Sequence, residues 1–242
     1  MSLLFETTPD GASRYIDWIV SGLCWTLALA LSAWMIALVV GTLVGVARTF
    51  RGGIWPRLGR AYVETFRNIP LLVQMFFWYF VLPELLPGRL GFAIKQMDPP
   101  WGSFIPALVC LGLFTAARIA EQVRAGVQAL PDGQSQAAAA LGFGRAGLYR
   151  LILLPQAFRI ILPTLTNEFM TIFKNTSVAL TIGLVELTAT AREINENTFR
   201  TFEAYGVVTL VYLVIALLAW LLMNRIEHAV QLPSLATGRA RR

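Results

Sequence analysis

Charge is what this sequence has least of. Asp, Glu, Lys and Arg make up 14% of its 242 residues, against roughly 25% in an ordinary soluble domain, while 56% are hydrophobic. Histidine occurs once, at His228, beyond the last long apolar run, so no Ser/His/Asp triad can form within the apolar part. Lysine occurs only at Lys95 and Lys174, and neither follows a glycine, which rules out a phosphate-cradling Gly-Lys-Ser/Thr loop. Cys24 and Cys110 stand far apart in separate apolar runs. They have no metal-ligand spacing and read as small apolar fillers. Soluble enzymes and nucleic-acid-binding domains are thereby excluded as classes.

What is present is length without charge. Residues 18–47 carry no charged side chain, and about twenty apolar residues already cross the ~30 Å hydrocarbon layer of a bilayer. Further uncharged runs lie at 68–83, 99–117 and 204–224. A weaker apolar segment, 163–185, is interrupted by Glu168 and Lys174. The 68–83 and 99–117 runs reach spanning length only if their helices continue past Arg67 and Arg118. Five crossings are therefore expected. The first residues carry acids rather than a basic leader, so the first span is expected to direct insertion itself.

Charge outside the runs alternates. Residues 48–60 hold four arginines and no acid, 124–159 hold four arginines and one acid, and the segment after 224 again holds four arginines and one acid. Residues 1–17 and 186–203 are acidic on balance, and 84–98 are neutral. Because basic loops stay in the cytoplasm, this places the N-terminus outside and the C-terminus inside. It divides the chain into an external segment, 1–17, a transmembrane domain, 18–224, with a cytoplasmic loop at 125–160, and a cytoplasmic tail, 225–242. Pro83, Pro87, Gly88, Pro99 and Pro100 mark 84–98 as an external loop. Residues 136–141 favour a short cytoplasmic helix, punctuated by Gly142, Gly144 and Gly147 and closed by Pro155.

That cytoplasmic stretch resembles the EAA loop of ATP-binding-cassette (ABC) importer permeases. Gln136, Ala137 and Ala138, then Gly142, then Ile152, Leu154 and Pro155 keep its spacing, with Gln136 where the motif has an acid. Small side chains let a short helix seat deeply in a partner's groove, and Gly142 lets the chain turn. Three further stretches are similar to polar amino-acid importer permeases: 67–74, beginning Arg67-Asn68-Ile69-Pro70 and ending at Gln74; 119–126, Ile119-Ala120-Glu121-Gln122 onward; and Lys174-Asn175-Thr176-Ser177. Within that family the chain looks most like the glutamate/aspartate permeases. It shares with them Leu113-Phe114-Thr115-Ala116-Ala117-Arg118, Leu85-Leu86-Pro87 and Val230-x-Leu232-Pro233, and other amino-acid permeases tend to carry tyrosine at the Arg118 position.

The resemblance implies an all-α integral membrane bundle: five transmembrane helices plus cytoplasmic coupling helices, the type I ABC importer permease, in a bacterial inner membrane. It implies as partners an ABC ATPase dimer that binds ATP and Mg, a second permease subunit that is a distinct homologous chain, and an external amino-acid-binding protein. No cofactor is expected in this chain.

Six charges fall at membrane depth: Glu64, Arg67, Arg118, Glu121, Glu168 and Lys174. Each costs at least ~2.5 kcal/mol at a helix centre, so each should pair or line a watery path. Glu64 with Arg67, and Arg118 with Glu121, have the spacing of same-face helical pairs. An acidic amino acid needs a guanidinium fork for a carboxylate and a carboxylate for its ammonium. Arg118 and Arg67 are the candidate forks, and Glu121 or Glu168 the candidate acid. Asn68 and Gln74 flank the Pro70 break, and Lys174, Thr176 and Ser177 form a polar face, completing the candidate substrate set. Three alternatives stay open: another polar cargo such as glutamine, a self-contained channel or secondary transporter, and a purely structural anchor.

Overall fold

The computed structural model describes residues 2–9, 11–50 and 52–230 and shows helices without a strand among them. Helix α1, Tyr15–Ala47, opens where the Arg14 backbone N–H donates to Asp17 Oδ2 at 2.8 Å. Helices α2, Trp55–Asn68, and α3, Leu71–Leu85, form a pair bent by 106°. A short helix α4, Gly88–Lys95, then occupies the stretch expected to be an irregular loop, held by an ion pair between Lys95 and Glu84. The remaining elements are α5, Trp101–Gln128; α6, Asp132–Ala140; α7, Arg145–Ile182; α8, Leu187–Thr198; and α9, Thr201–Val230. Helices α1, α5, α7 and α9 are each long and apolar enough to span, and the bent α2–α3 pair passes the same test when taken together, as one broken span or a re-entrant loop.

Two expected boundaries move. The fourth span starts at Arg145 rather than Pro163. Pro155, expected to close the cytoplasmic stretch, instead sits in the first turn of regular α-helix after a π-helical turn, Leu148–Leu153. Inside the continuous α7 a proline breaks the regular hydrogen-bond ladder, and the wider π-helical turn directly before it marks where that break falls. The second span does not run straight through Arg67. Pro70 disfavours helical backbone at Ile69, which adopts φ −94° and ψ 130°. The carbonyls freed by the break are not wasted on lipid: Gln74 Nε2 donates to Phe66 O and Ile69 O, both at 2.8 Å.

Helix α5 is the centre, packed by α1, α2 and α7. In a membrane, close approach between helices comes from small residues rather than from water exclusion. A stripe of Ala30, Ala33, Ala37, Gly41 and Gly45 on α1 is fully or largely buried for that reason. A Cβ on Gly41 would lie 2.8 Å from Ile119, and one on Gly45 2.7 Å from Val123. The opposite faces of α1 and α9 expose Leu31, Met35, Val39, Leu213 and Leu217, as lipid-facing surfaces do. Glu186 caps α8 by accepting from Thr188 N and Ala189 N at 3.0 Å, and Tyr212 donates to it at 2.7 Å. Glu6 pairs with Arg200 at 2.8 Å, fastening the N-terminal segment to the turn before α9. The shared Leu232-Pro233 motif and most of the expected tail lie outside the described residues.

Candidate substrate site and coupling loop

The charges at depth pair differently from their sequence spacing. Arg118 on α5 does not join Glu121. Its Nε donates to Glu168 Oε2 on α7 at 2.7 Å. Helix-to-helix pairing wins because α5 and α7 pack side by side, whereas neighbours on one helix need both side chains to bend along its surface. Glu168 is only 7% exposed, so its charge requires partners. Gln122 Nε2 supplies the second, donating to Oε1 at 3.2 Å. Thr164 Oγ1 in turn reaches Gln122 Oε1 at 3.1 Å.

Glu121 serves another junction. It accepts from Arg48 Nη1 at 2.6 Å and pairs with Arg124. Arg48 lies at the C-terminal end of α1, where a cation is favoured by the helix dipole. Glu121 thus ties α1 to α5. The expected Glu64–Arg67 pair does not form: both side chains are exposed, and neither has an ion-pair partner among the described residues.

Arg67, Arg118, Glu121, Gln122 and Glu168 line one open pocket of about 150 Å3. Arg67 reaches it because the chain bends directly after α2. The side chain of Arg118 is 44% exposed, and its two terminal nitrogens have no hydrogen-bond partner among the described residues. The pocket therefore offers a carboxylate one open guanidinium edge and a second guanidinium, beside a buried acid.

The other expected substrate residues lie elsewhere. Lys174 and Ser177 line a separate pocket of about 300 Å3 with Thr188, Tyr205, Thr209 and Tyr212. Thr176 is fully buried, and its hydroxyl donates to Phe173 O at 2.7 Å. Gln74 is spent on the helix break, and Asn68 is exposed at the end of α2. Gln122, Thr164 and Arg48 escaped the sequence reading. Gln122 stood inside a quoted motif, but nothing in its spacing signalled that it faces Glu168.

The 125–160 loop is a helix-turn-helix with an apolar tip. Gln136 and Ala137 are exposed on α6, while Ala138 is buried against the bundle. Gly142 adopts φ +81° with open space around it. Leu141, 77% exposed, and Phe143 project beside it. Gln134 and Gln156 exchange amide hydrogen bonds at 3.0 and 2.9 Å, and Gln156 also donates to Ile152 O, which fastens α6 to α7. Ile152 and Leu154 are half-buried under this loop, and Pro155 is exposed. Behind α6 lies a cavity of about 630 Å3 whose lining includes Arg48, Thr49, Asp132, Gln136 and Tyr149. Thr49 and Tyr149 share a 2.6 Å hydrogen bond across it.

Comparison with known proteins agrees with this architecture. Residues 37–231 match the family described as binding-protein-dependent transport system inner membrane component. The chain is 43% identical over 238 residues to the glutamate/aspartate import permease protein GltJ of Escherichia coli K12, covering 98% of this chain and 97% of that one. It is 33% identical over 217 residues to the glutamine transport system permease protein GlnP of the same strain, covering 90% and 94%. A crystal structure of an amino acid ABC transporter with histidines superposes with a TM-score of 0.73 at 32% identity, over 89% of this chain and 95% of that one. The helical bundle has the fold of an ABC importer permease, and the chain belongs to the binding-protein-dependent transport system inner membrane components.

Proposed function

We propose that this permease carries acidic amino acids, glutamate or aspartate, inward across the bacterial inner membrane. The observation behind this reading is Arg118: a guanidinium at membrane depth, anchored through Nε and open at its terminal edge, with Arg67 in the same pocket. A planar fork grips a carboxylate with two parallel hydrogen bonds. Glu168 stands within the pocket as a counter-charge for the ammonium. The 43% identity to a glutamate/aspartate import permease supports the same cargo.

In this reading an external binding protein delivers the amino acid. A second permease completes the path, since five crossings are too few to enclose it. Two ATPase subunits, binding ATP and Mg, seat on the Leu141–Phe143 tip and the Gln136–Ala138 helix. In the same reading the basic stretches face the cytoplasm, with the N-terminus outside and the C-terminus inside, as the bias of Lys and Arg toward cytoplasmic loops supports. ATP-driven closure of the ATPases shifts a two-state bundle toward its outward-open form, and hydrolysis returns it.

The test is reconstitution of the whole importer in proteoliposomes with ATP inside and binding protein outside. Labelled glutamate or aspartate is expected to accumulate, and Arg118→Gln is expected to lower that uptake at least about tenfold, the worth of a charge-assisted hydrogen bond. Uptake of an amide or a basic amino acid in preference to both acids defeats the proposal.

A further inference from the structure

The cavity behind α6 holds two opposite charges that do not meet. Its volume of about 630 Å3 lies within the usual range of small-molecule sites. Arg48, at the end of α1, and Asp132, in the first turn of α6, both line it, and they form no ion pair with each other. The Arg48 side chain is only 10% exposed, and of its nitrogens Nη1 alone is engaged, by Glu121. Its other N–H groups and the Asp132 carboxylate have no partner among the described residues. The neutral groups are sorted by counting protons. Thr49 donates its one hydroxyl proton to Val46 O at 2.7 Å, so in the 2.6 Å contact with Tyr149 the phenol is the donor, and both oxygens are left as acceptors. Gln128 Oε1 is taken by Arg124, which leaves its NH2 group as a donor. The lining therefore offers donors at Arg48 and Gln128 and acceptors at Asp132, Thr49 and Tyr149. A simple anion would meet the Asp132 carboxylate there, and a simple cation the Arg48 guanidinium. A guest that carries both charges satisfies each.

We infer that this cavity is a binding site for a small zwitterion, its carboxylate or phosphate on Arg48 and its ammonium on Asp132, and that the guest braces α6. Helix α6 needs such a tie: Ala138 is its one buried residue, and the Gln134–Gln156 amide pair fastens it to α7. A guest bonded to both Asp132 and Arg48 links the start of α6 to the end of α1. Two sources share this chemistry, a free amino acid and the headgroup of phosphatidylethanolamine. In the orientation proposed above, the end of α1 reaches the cytoplasmic surface of the bilayer, where both are at hand. The inference rests on the permease reading, with α6 in the loop that seats the ATPase, and not on which amino acid is carried.

The experiment uses the permease–ATPase complex assembled without binding protein in nanodiscs of phosphatidylglycerol, which has no cationic group. Ser135→Cys puts a thiol in the cavity lining, and its modification by a maleimide is located and timed by mass spectrometry. Phosphatidylethanolamine added to the bilayer, or glycine added to the solution, is expected to slow the modification about tenfold at saturation. Protection by the lipid identifies a headgroup as the guest, and protection by glycine a free amino acid. Asp132→Asn is expected to raise the half-protecting amount of that probe at least about tenfold, the worth of a charge-assisted hydrogen bond, and Asp132→Glu to keep it within about threefold. Protection by neither probe, or equal protection in Asp132→Asn, overturns the inference. A second measurement needs no substitution. In the unmodified complex, the protecting probe is expected to slow amide hydrogen exchange over residues 132–140 about tenfold, the same saturation, and unaltered exchange with either probe overturns the inference. Neither readout involves Arg118 or transport, so failure of the acidic-cargo proposal leaves this one standing.

Discussion

At the scale of single residues, the pocket is a set of charges sharing one another's cost. Glu168 is buried and Arg118 is not, so removing each has a different consequence. Arg118→Gln strands a buried carboxylate with only Gln122 as partner. It is expected to destabilise the folded permease by about 1–3 kcal/mol, visible as a lowered midpoint in a thermal unfolding assay in detergent. Adding Glu168→Gln should restore the midpoint while glutamate uptake stays lost, which separates the stability role of the pair from its cargo role. Glu121 illustrates why spacing misleads. Three residues from Arg118 on one helix, it invites a pair with that residue, yet it pairs instead with Arg124, three residues on in the other direction, and with Arg48 from α1. A local pattern lists the partners a side chain can reach along its own helix. It contains nothing about which helix will be placed against it.

Among elements, two devices hold the helices where the pocket needs them. The first is the contact of α1 with α5. Gly41→Leu would drive its Cβ against Ile119 and the Ala116 carbonyl, and overpacking of this kind costs about 1–3 kcal/mol. The expected result is a lowered unfolding midpoint and loss of the Arg48–Glu121 junction, whereas Leu31→Ala on the exposed face of the same helix should be nearly silent. The second is the bend between α2 and α3, which swings Arg67 to the pocket mouth. Gln74→Leu leaves the Phe66 and Ile69 carbonyls without their side-chain donor, at about 1–3 kcal/mol for each buried acceptor stranded. Lower stability and a weakened glutamate affinity together are expected; binding data on the solubilised complex would check the second. Pro70 announced this break from the sequence, since a proline within an apolar run removes a donor wherever it occurs. Its angle, and Gln74 as the group that repairs it, depend on side chains meeting across the break.

Seen whole, the molecule joins the charged pocket to the protruding loop through α5 and α7, which border both. The Leu141–Phe143 tip stands clear of the bundle, so changing it should spare the fold. Leu141→Asp is expected to abolish copurification of the ATPase while the purified permease keeps its unfolding midpoint. Gly142→Val should weaken the same association by straining a left-handed turn, at about 1–2 kcal/mol. Retained ATPase binding in both variants would show that the partner seats elsewhere. The helix and turn of this loop were legible beforehand, because residues 136–141 favour helix and Gly142 ends it. Leu141 and Phe143 were not singled out, since an apolar residue looks the same in sequence whether it fills a core or projects from a surface.

The linear order of residues thus settles what hydrocarbon demands locally: which segments are long and apolar enough to cross, and where proline breaks one. Each follows from the cost of putting a charge or an unpaired backbone group into hydrocarbon, a cost paid residue by residue. Who pairs with whom does not follow from it. Arg118 with Glu168, Glu121 with Arg48, and Lys174 in a pocket apart from both arise from the sideways packing of α1, α5 and α7. That packing depends on the joint shape of several helices, and in an electrostatic site the nearest counter-charge in space prevails over the nearest along the chain.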